Sequence, residues 1–190
     1  MLTKVSINKN GDGAGCATPK DPTIIVVDVD DVASEPTRVG GHTVLQGNLE
    51  LKEGAKAIGI YATPDTIDAG YDQEGETDAR GFKDKVGFDH PGDSTDINNF
   101  AEGGANKGFI ILVKECDGTA NGKTKMYGQK CSPLFMTSSP TNNKEGNKRH
   151  FDFNQSMSTK FVPGEYPGEM PELAATSEAN PETESSWRRQ

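Results

Sequence analysis

The sequence predicts a mainly β protein: an antiparallel β sandwich or barrel with one short flanking helix, long loops and extended arms at both ends. Three observations lead there. Hydrophobic residues make up only 32% of the 190 residues and gather in short runs rather than long periodic stretches. The 22 Gly and 11 Pro fall between those runs, where they mark turns. One segment alone carries a helix start, an apolar helical face and a helix stop.

The chain is the length of one domain. Residues 1–22 read as an extended Gly- and Asn-rich arm, with a possible short strand at Leu2–Ile7. Residues 23–171 read as a single β-rich domain, and residues 172–190 as a disordered acidic tail of Pro, Glu and Ser.

Within the domain, Thr23–Val29 is β-branched and apolar on both faces, the pattern of a buried strand. Thr43–Lys52 alternates imperfectly and predicts a strand that Gly54 breaks; Ala55–Ala62 resumes as another. Residues 63–92 are polar, with one strand predicted over Gly81–Asp89. The helix is expected over 94–103. Asp93 and Ser94 offer N-caps, Asp96 places negative charge in the first turn, and Ile97, Phe100 and Ala101 share a face. Gly103 and Gly104 end it.

Gly108–Cys116 is the most apolar strand of the chain, and Asp117–Lys123 is a strong turn signal. Strands are expected at Lys125–Cys131, Pro133–Thr137 and Arg149–Ser156, with Pro140–Lys148 as a polar loop. In the last strand Phe151 and Phe153 alternate with His150, Asp152 and Asn154, so one face is buried and one wet. Such a core is thin, and thin cores draw support from neighbouring subunits.

Charge narrows the function classes. A formal charge of −9 repels phosphates and anionic lipid. Lysines cluster at Lys123–Lys130 and Lys144–Arg149, but with slight aromatic interleaving, which makes nucleic-acid binding a weak alternative. No apolar run approaches membrane-spanning length, and Met1–Asn10 carries no apolar signal-peptide core, so a soluble cytosolic product is expected unless it joins a larger particle.

No catalytic constellation emerges. His42, His90 and His150 lack metal-ligand spacing to one another or to a Cys, and read as solvated side chains. Three Cys argue against a disulfide framework; Cys116 and Cys131 flank a turn and face each other across it, or are ordinary half-buried residues. Asn8–Gly13 mimics the opening of a calcium loop, but its twelfth position is Pro19, which has no carboxylate. Asp28, Asp30 and Asp31 close an apolar strand and are the candidate metal ligands, set against a plain acidic turn. Phosphate-binding motifs and Gly-x-Ser-x-Gly are absent. No catalytic residue and no cofactor is therefore predicted.

From Gly81 onward the chain runs RGFKDKVGFDHPG, the capped helix DSTDINNFAEGG, NKGFIILVKEC, the turn DGTANGK, KMYGQKCSPLFM, and RHFDFNQSMSTKFVPGEYPGE. This order of elements, over about residues 81–171, resembles that of major tail tube proteins of long-tailed bacteriophages. The resemblance implies a subunit of stacked, commonly hexameric rings that form a conduit for DNA. It implies a virion protein assembled in the bacterial cytoplasm. Its partners would be further copies of itself and other tail proteins, with DNA passing unbound and no membrane. An acidic lumen suits that role, since it repels phosphate. Competing readings are a head decoration, connector or baseplate protein, a calcium- or carbohydrate-binding β module, and an enzyme using Cys116 or the Asp cluster. Trp187, Arg188 and Arg189 would either anchor the tail to a neighbour or fray.

Overall fold

The computed structural model describes residues 4–9, 11–40, 42–116, 122–144 and 146–176. Its chain order is β1 (Thr23–Asp28), β2 (Val32–Ser34), β3 (Thr37–Arg38), β4 (Leu45–Gln46), β5 (Glu50–Leu51), β6 (Ile58–Tyr61), β7 (Asp68–Glu74) and β8 (Gly81–Pro91). Then follow α1 (Thr95–Gly103), β9 (Gly108–Lys114), β10 (Thr124–Tyr127), β11 (Leu134–Asn143), β12 (Gly146–Gln155) and β13 (Gly164–Glu165).

Nine of these strands form one antiparallel sheet, which does not close into a barrel. Its main path is β6-β1-β9-β11-β12-β8-β7. Strand β9 is the hub. One edge pairs with β1, and the other is shared by β10, at Ile111–Lys114, and β11, at Gly108–Phe109. Strands β10 and β11 are thus two pieces of one line, broken by the turn at Gln129–Ser132. Gly128 makes the break possible. Its φ is +80°, and a Cβ there would stand 2.5 Å from Leu134 Cδ1.

The two faces of β9 carry two cores. Phe109, Ile111 and Val113 point to one side, where they meet Ile24, Val26, Val86, Phe88, Leu134, Phe151 and Phe153. Ile110 and Leu112 point to the other, against Val27, Val32, Leu45, Leu49, Met126 and Tyr166. That division explains why β1 and β9 read as apolar on both faces. Four phenylalanines fill the first core: the Phe88 ring centroid lies 5.5 Å from Phe151 and 6.0 Å from Phe153, and Phe109 lies 5.7 Å from Phe153.

Helix α1 closes the open side of the first core. Ile97 is buried there, with Phe100 and Ala101 packed beside it. Ser94 Oγ accepts the Ile97 N–H, an N-cap as the sequence predicts. The helix stops where Gly104 is pressed close to Phe100 O, Met136 and Phe109, leaving no room for a side chain. On the opposite face the two-stranded pairs β2–β5 and β3–β4 and the segment around Tyr166 cover the second core.

Several expectations are corrected. The strand expected over Thr43–Lys52 is two short pieces, β4 and β5, in separate small sheets, because Gly47 (φ +93°) turns the chain between them. Strand β7 lies in the polar stretch that gave no strand signal; it pairs with β8 through backbone bonds, and apart from Ala69, which packs on the first core, its side chains are largely exposed. Within the expected loop Pro140–Lys148, residues 140–143 and 146–148 belong to the far end of β11 and β12, paired as far as Asn143↔Gly146. Lys4–Lys9 forms no strand, and Leu2–Thr3 lie outside the described residues. The chain stays in contact with the sheet beyond residue 171. Ala57 donates to Glu172 O and accepts from the Ala174 N–H, which pairs Leu173 with Ala57, just before β6. Residues 177–190, which include most of the predicted tail and Trp187, lie outside the described residues.

Candidate functional site: charged clusters and open sheet edges

The three candidate metal ligands follow β1 on a 3-10 turn, Val29–Asp31. The Asp28 carboxylate caps this turn by accepting the Asp30 N–H at 2.9 Å. Lys107, from the segment before β9, then enters between the carboxylates, 3.3 Å from Asp28 and 2.5 Å from Asp30. The hydrogen bond and charge of Lys107 hold the Asp30 carboxyl below its usual range, and those same carboxylates hold Lys107 above its own. Asp31 takes part through its carbonyl, which accepts the Lys52 N–H. An ammonium thus occupies the position where a divalent cation would bind. Among the described residues no three His, Cys, Asp or Glu side chains stand close enough together to hold a metal.

His90 and His150 are paired rather than simply solvated, while His42 is exposed. His90 Nδ1 lies 2.8 Å from Tyr61 O. His150 sits between Asp89 (2.6 Å) and Asp152 (3.3 Å), and Asp89 also meets Lys148 at 2.5 Å. Burial pushes the Asp89 carboxyl up, but the bonds from Lys148 and His150 outweigh it and leave the group below its usual range. Alternation along β12 and β8 explains the cluster, because His150 and Asp89 are direct cross-strand partners. Cys116 and Cys131 are neither bonded to each other nor half-buried: Cys16, Cys116 and Cys131 are all exposed and free.

One polar cluster gave no signal in the sequence. Asp84 in β8 is buried and accepts the Gly128 N–H, while its own N–H donates to Gln155 Oε1. Arg38 reaches over from β3, its guanidinium bonded to Val162 O and stacked 5.1 Å from the Phe161 ring. Asp84, Arg38 and Gln155 line a cavity of about 10 Å³, the size of a single water. This cluster joins β3, β8, β10 and the chain after β12. It is too small and too enclosed to admit a substrate.

What remains open are the ends of the sheet. Among the described residues β7 pairs only with β8, so its outer edge is free, flanked by Asp68, Asp72 and Glu74. At the other end β6 pairs with β1, and its outer edge is partly covered: Ala57 bonds to Glu172 and Ala174, His90 meets Tyr61 O, and among the described residues the backbone between them carries no strand partner. Ile58 and Tyr61 are exposed there beside α1. No described helix is long and apolar enough to cross a membrane.

No protein-family model matches the chain, and no curated protein or solved structure matches it significantly.

Proposed function

We propose that this chain is a virion structural protein, the tail tube subunit that self-assembles into stacked rings forming a conduit for DNA. One observation carries the reading: among the described residues the longest path through the large sheet ends in two unlike strands, β6 and β7, each with backbone unpaired on its outer side. Exposed strand edges invite pairing with another chain. When the two edges differ, the contact between copies is head-to-tail, and head-to-tail contacts close into rings or run on as filaments. The charge of −9 suits a lumen that repels phosphate. On this reading the protein has no catalytic role, is assembled in the bacterial cytoplasm and contacts further copies and other tail proteins. A decoration, connector or baseplate subunit would use similar edges. The calcium-module alternative is weakened by Lys107, which already neutralises Asp28 and Asp30.

Sedimentation velocity across a concentration series tests this. Growth from a 20.4 kDa species to one closed stoichiometry, and then to larger stacks, is expected. A single 20.4 kDa species at every concentration would overturn it.

A further inference from the structure

A polar group taken out of water needs a partner, and folded proteins leave few buried ones without. Among the described residues three buried side-chain polar atoms have no hydrogen-bond partner within the protein: Arg38 Nε, Asp84 Oδ1 and Arg149 Nε. Two of these three, on Arg38 and Asp84, belong to residues that line one cavity of about 10 Å³, bordered by Gly128 and Gln155. Asp84 is only 6% exposed, so its orphaned oxygen has no route to bulk solvent.

Each side chain is anchored short of the other. The second Asp84 oxygen accepts the Gly128 N–H at 2.9 Å. The Arg38 guanidinium is held from two sides, by Val162 O and by the Phe161 ring 5.1 Å away. The chemistry of the two orphaned atoms then selects what fits between them. Arg38 Nε carries one N–H and only donates, while an oxygen of an ionised carboxylate only accepts. A bridging group must therefore accept at one end and donate at the other. A cation in the cavity would meet the guanidinium, and an anion would meet the carboxylate. The volume is at the lower limit for one water and excludes anything larger. Water meets every condition: it is small, uncharged, and both donates and accepts.

We infer that this cavity is the binding site of one internal water, which accepts from Arg38 Nε and donates to Asp84 Oδ1. The water joins parts of the chain that are far apart in sequence. Arg38 belongs to β3, which pairs with β4, and Leu45 of β4 covers the second core. Asp84 belongs to β8, whose Val86 and Phe88 build the first core. A water-mediated ion pair thus fastens the cover of one core to the strand that builds the other. The site lies within the single folded subunit and does not depend on how copies assemble.

A crystal structure of the full chain, at a resolution that shows ordered water, tests it. One water within hydrogen-bond distance of both Asp84 Oδ1 and Arg38 Nε is expected. A direct bond between the two side chains, a dry cavity, or an ion at that position would overturn the inference. Magnetic relaxation dispersion of the water oxygen gives the solution counterpart, because it counts long-lived internal waters. Arg38→Met removes the donor and leaves the water a single charged partner, so the count should fall by one from that of the parent. Arg80→Met, at an exposed position, should leave the count unchanged. An unchanged count in the Arg38 variant, or an equal fall in both variants, would overturn the assignment.

Discussion

Asp84 accepts the Gly128 N–H at 2.9 Å through one carboxylate oxygen, while its other oxygen is buried without a hydrogen-bond partner. This bond holds the turn that separates β10 from β11, the point at which the sheet bends round its first core. Burial pushes the Asp84 carboxyl up to about 6, against the lowering effects of the Gly128 bond and of Arg38. A carboxyl raised in the folded state binds its proton more tightly there than in the unfolded chain. Its contribution is therefore fully present below the ordinary Asp range and is lost as pH rises through about 6. The loss amounts to roughly 3 kcal/mol. Asp84→Asn keeps an acceptor for Gly128 and removes the charge. Urea unfolding at pH 4 to 8 is expected to show that the variant lacks this slope and is the more stable protein at pH 8. Parallel curves for the two proteins would refute it.

Arg149 fastens α1 to the β11–β12 hairpin. It is 7% exposed and donates to Asp93 at 3.2 Å, to Asn98 and to Ser138. Removing it cuts the links to Asp93, Asn98 and Ser138 and leaves the helix held by the packing of Ile97, Phe100 and Ala101. Arg149→Ala is expected to cost about 2–4 kcal/mol. Hydrogen exchange should show lost protection in α1 before the β1–β9 pair is affected, and uniform loss would contradict this.

Tyr166 ties the covering segment to the second core. Its hydroxyl accepts the buried Leu49 N–H at 2.9 Å and donates to Glu169 O at 2.6 Å. Tyr166→Phe keeps the ring and orphans that N–H, a cost of about 1–3 kcal/mol. A midpoint of denaturation equal to that of the parent would show that the contact carries no energy.

Calcium should have no partner at the end of β1. With Lys107 between Asp28 and Asp30, millimolar calcium is expected to leave the melting temperature unchanged. A rise would revive the binding-module reading and place the ion on these carboxylates.

How much of this was legible in the sequence follows from where each signal resides. Strands β1, β8, β9 and β12 and helix α1 carry their burial in their own side chains, so apolar runs and an N-cap reveal them. Strand β7 and the tip of the β11–β12 hairpin are held by backbone pairing to a neighbour, with side chains largely in solvent, and leave no apolar trace. The Asp28–Asp30 cluster was visible as residues, but its occupant, Lys107, lies 77 positions from Asp30. Asp84 reads as one more surface carboxylate until β3 and the Gly128 turn close over it.

The central claim is that these open edges assemble. Negative-stain electron microscopy of the concentrated protein tests it most directly. Stacked rings or tubes with an axial channel are the predicted result; isolated monomers at all concentrations, or discrete rings that never stack, would contradict the tail tube reading.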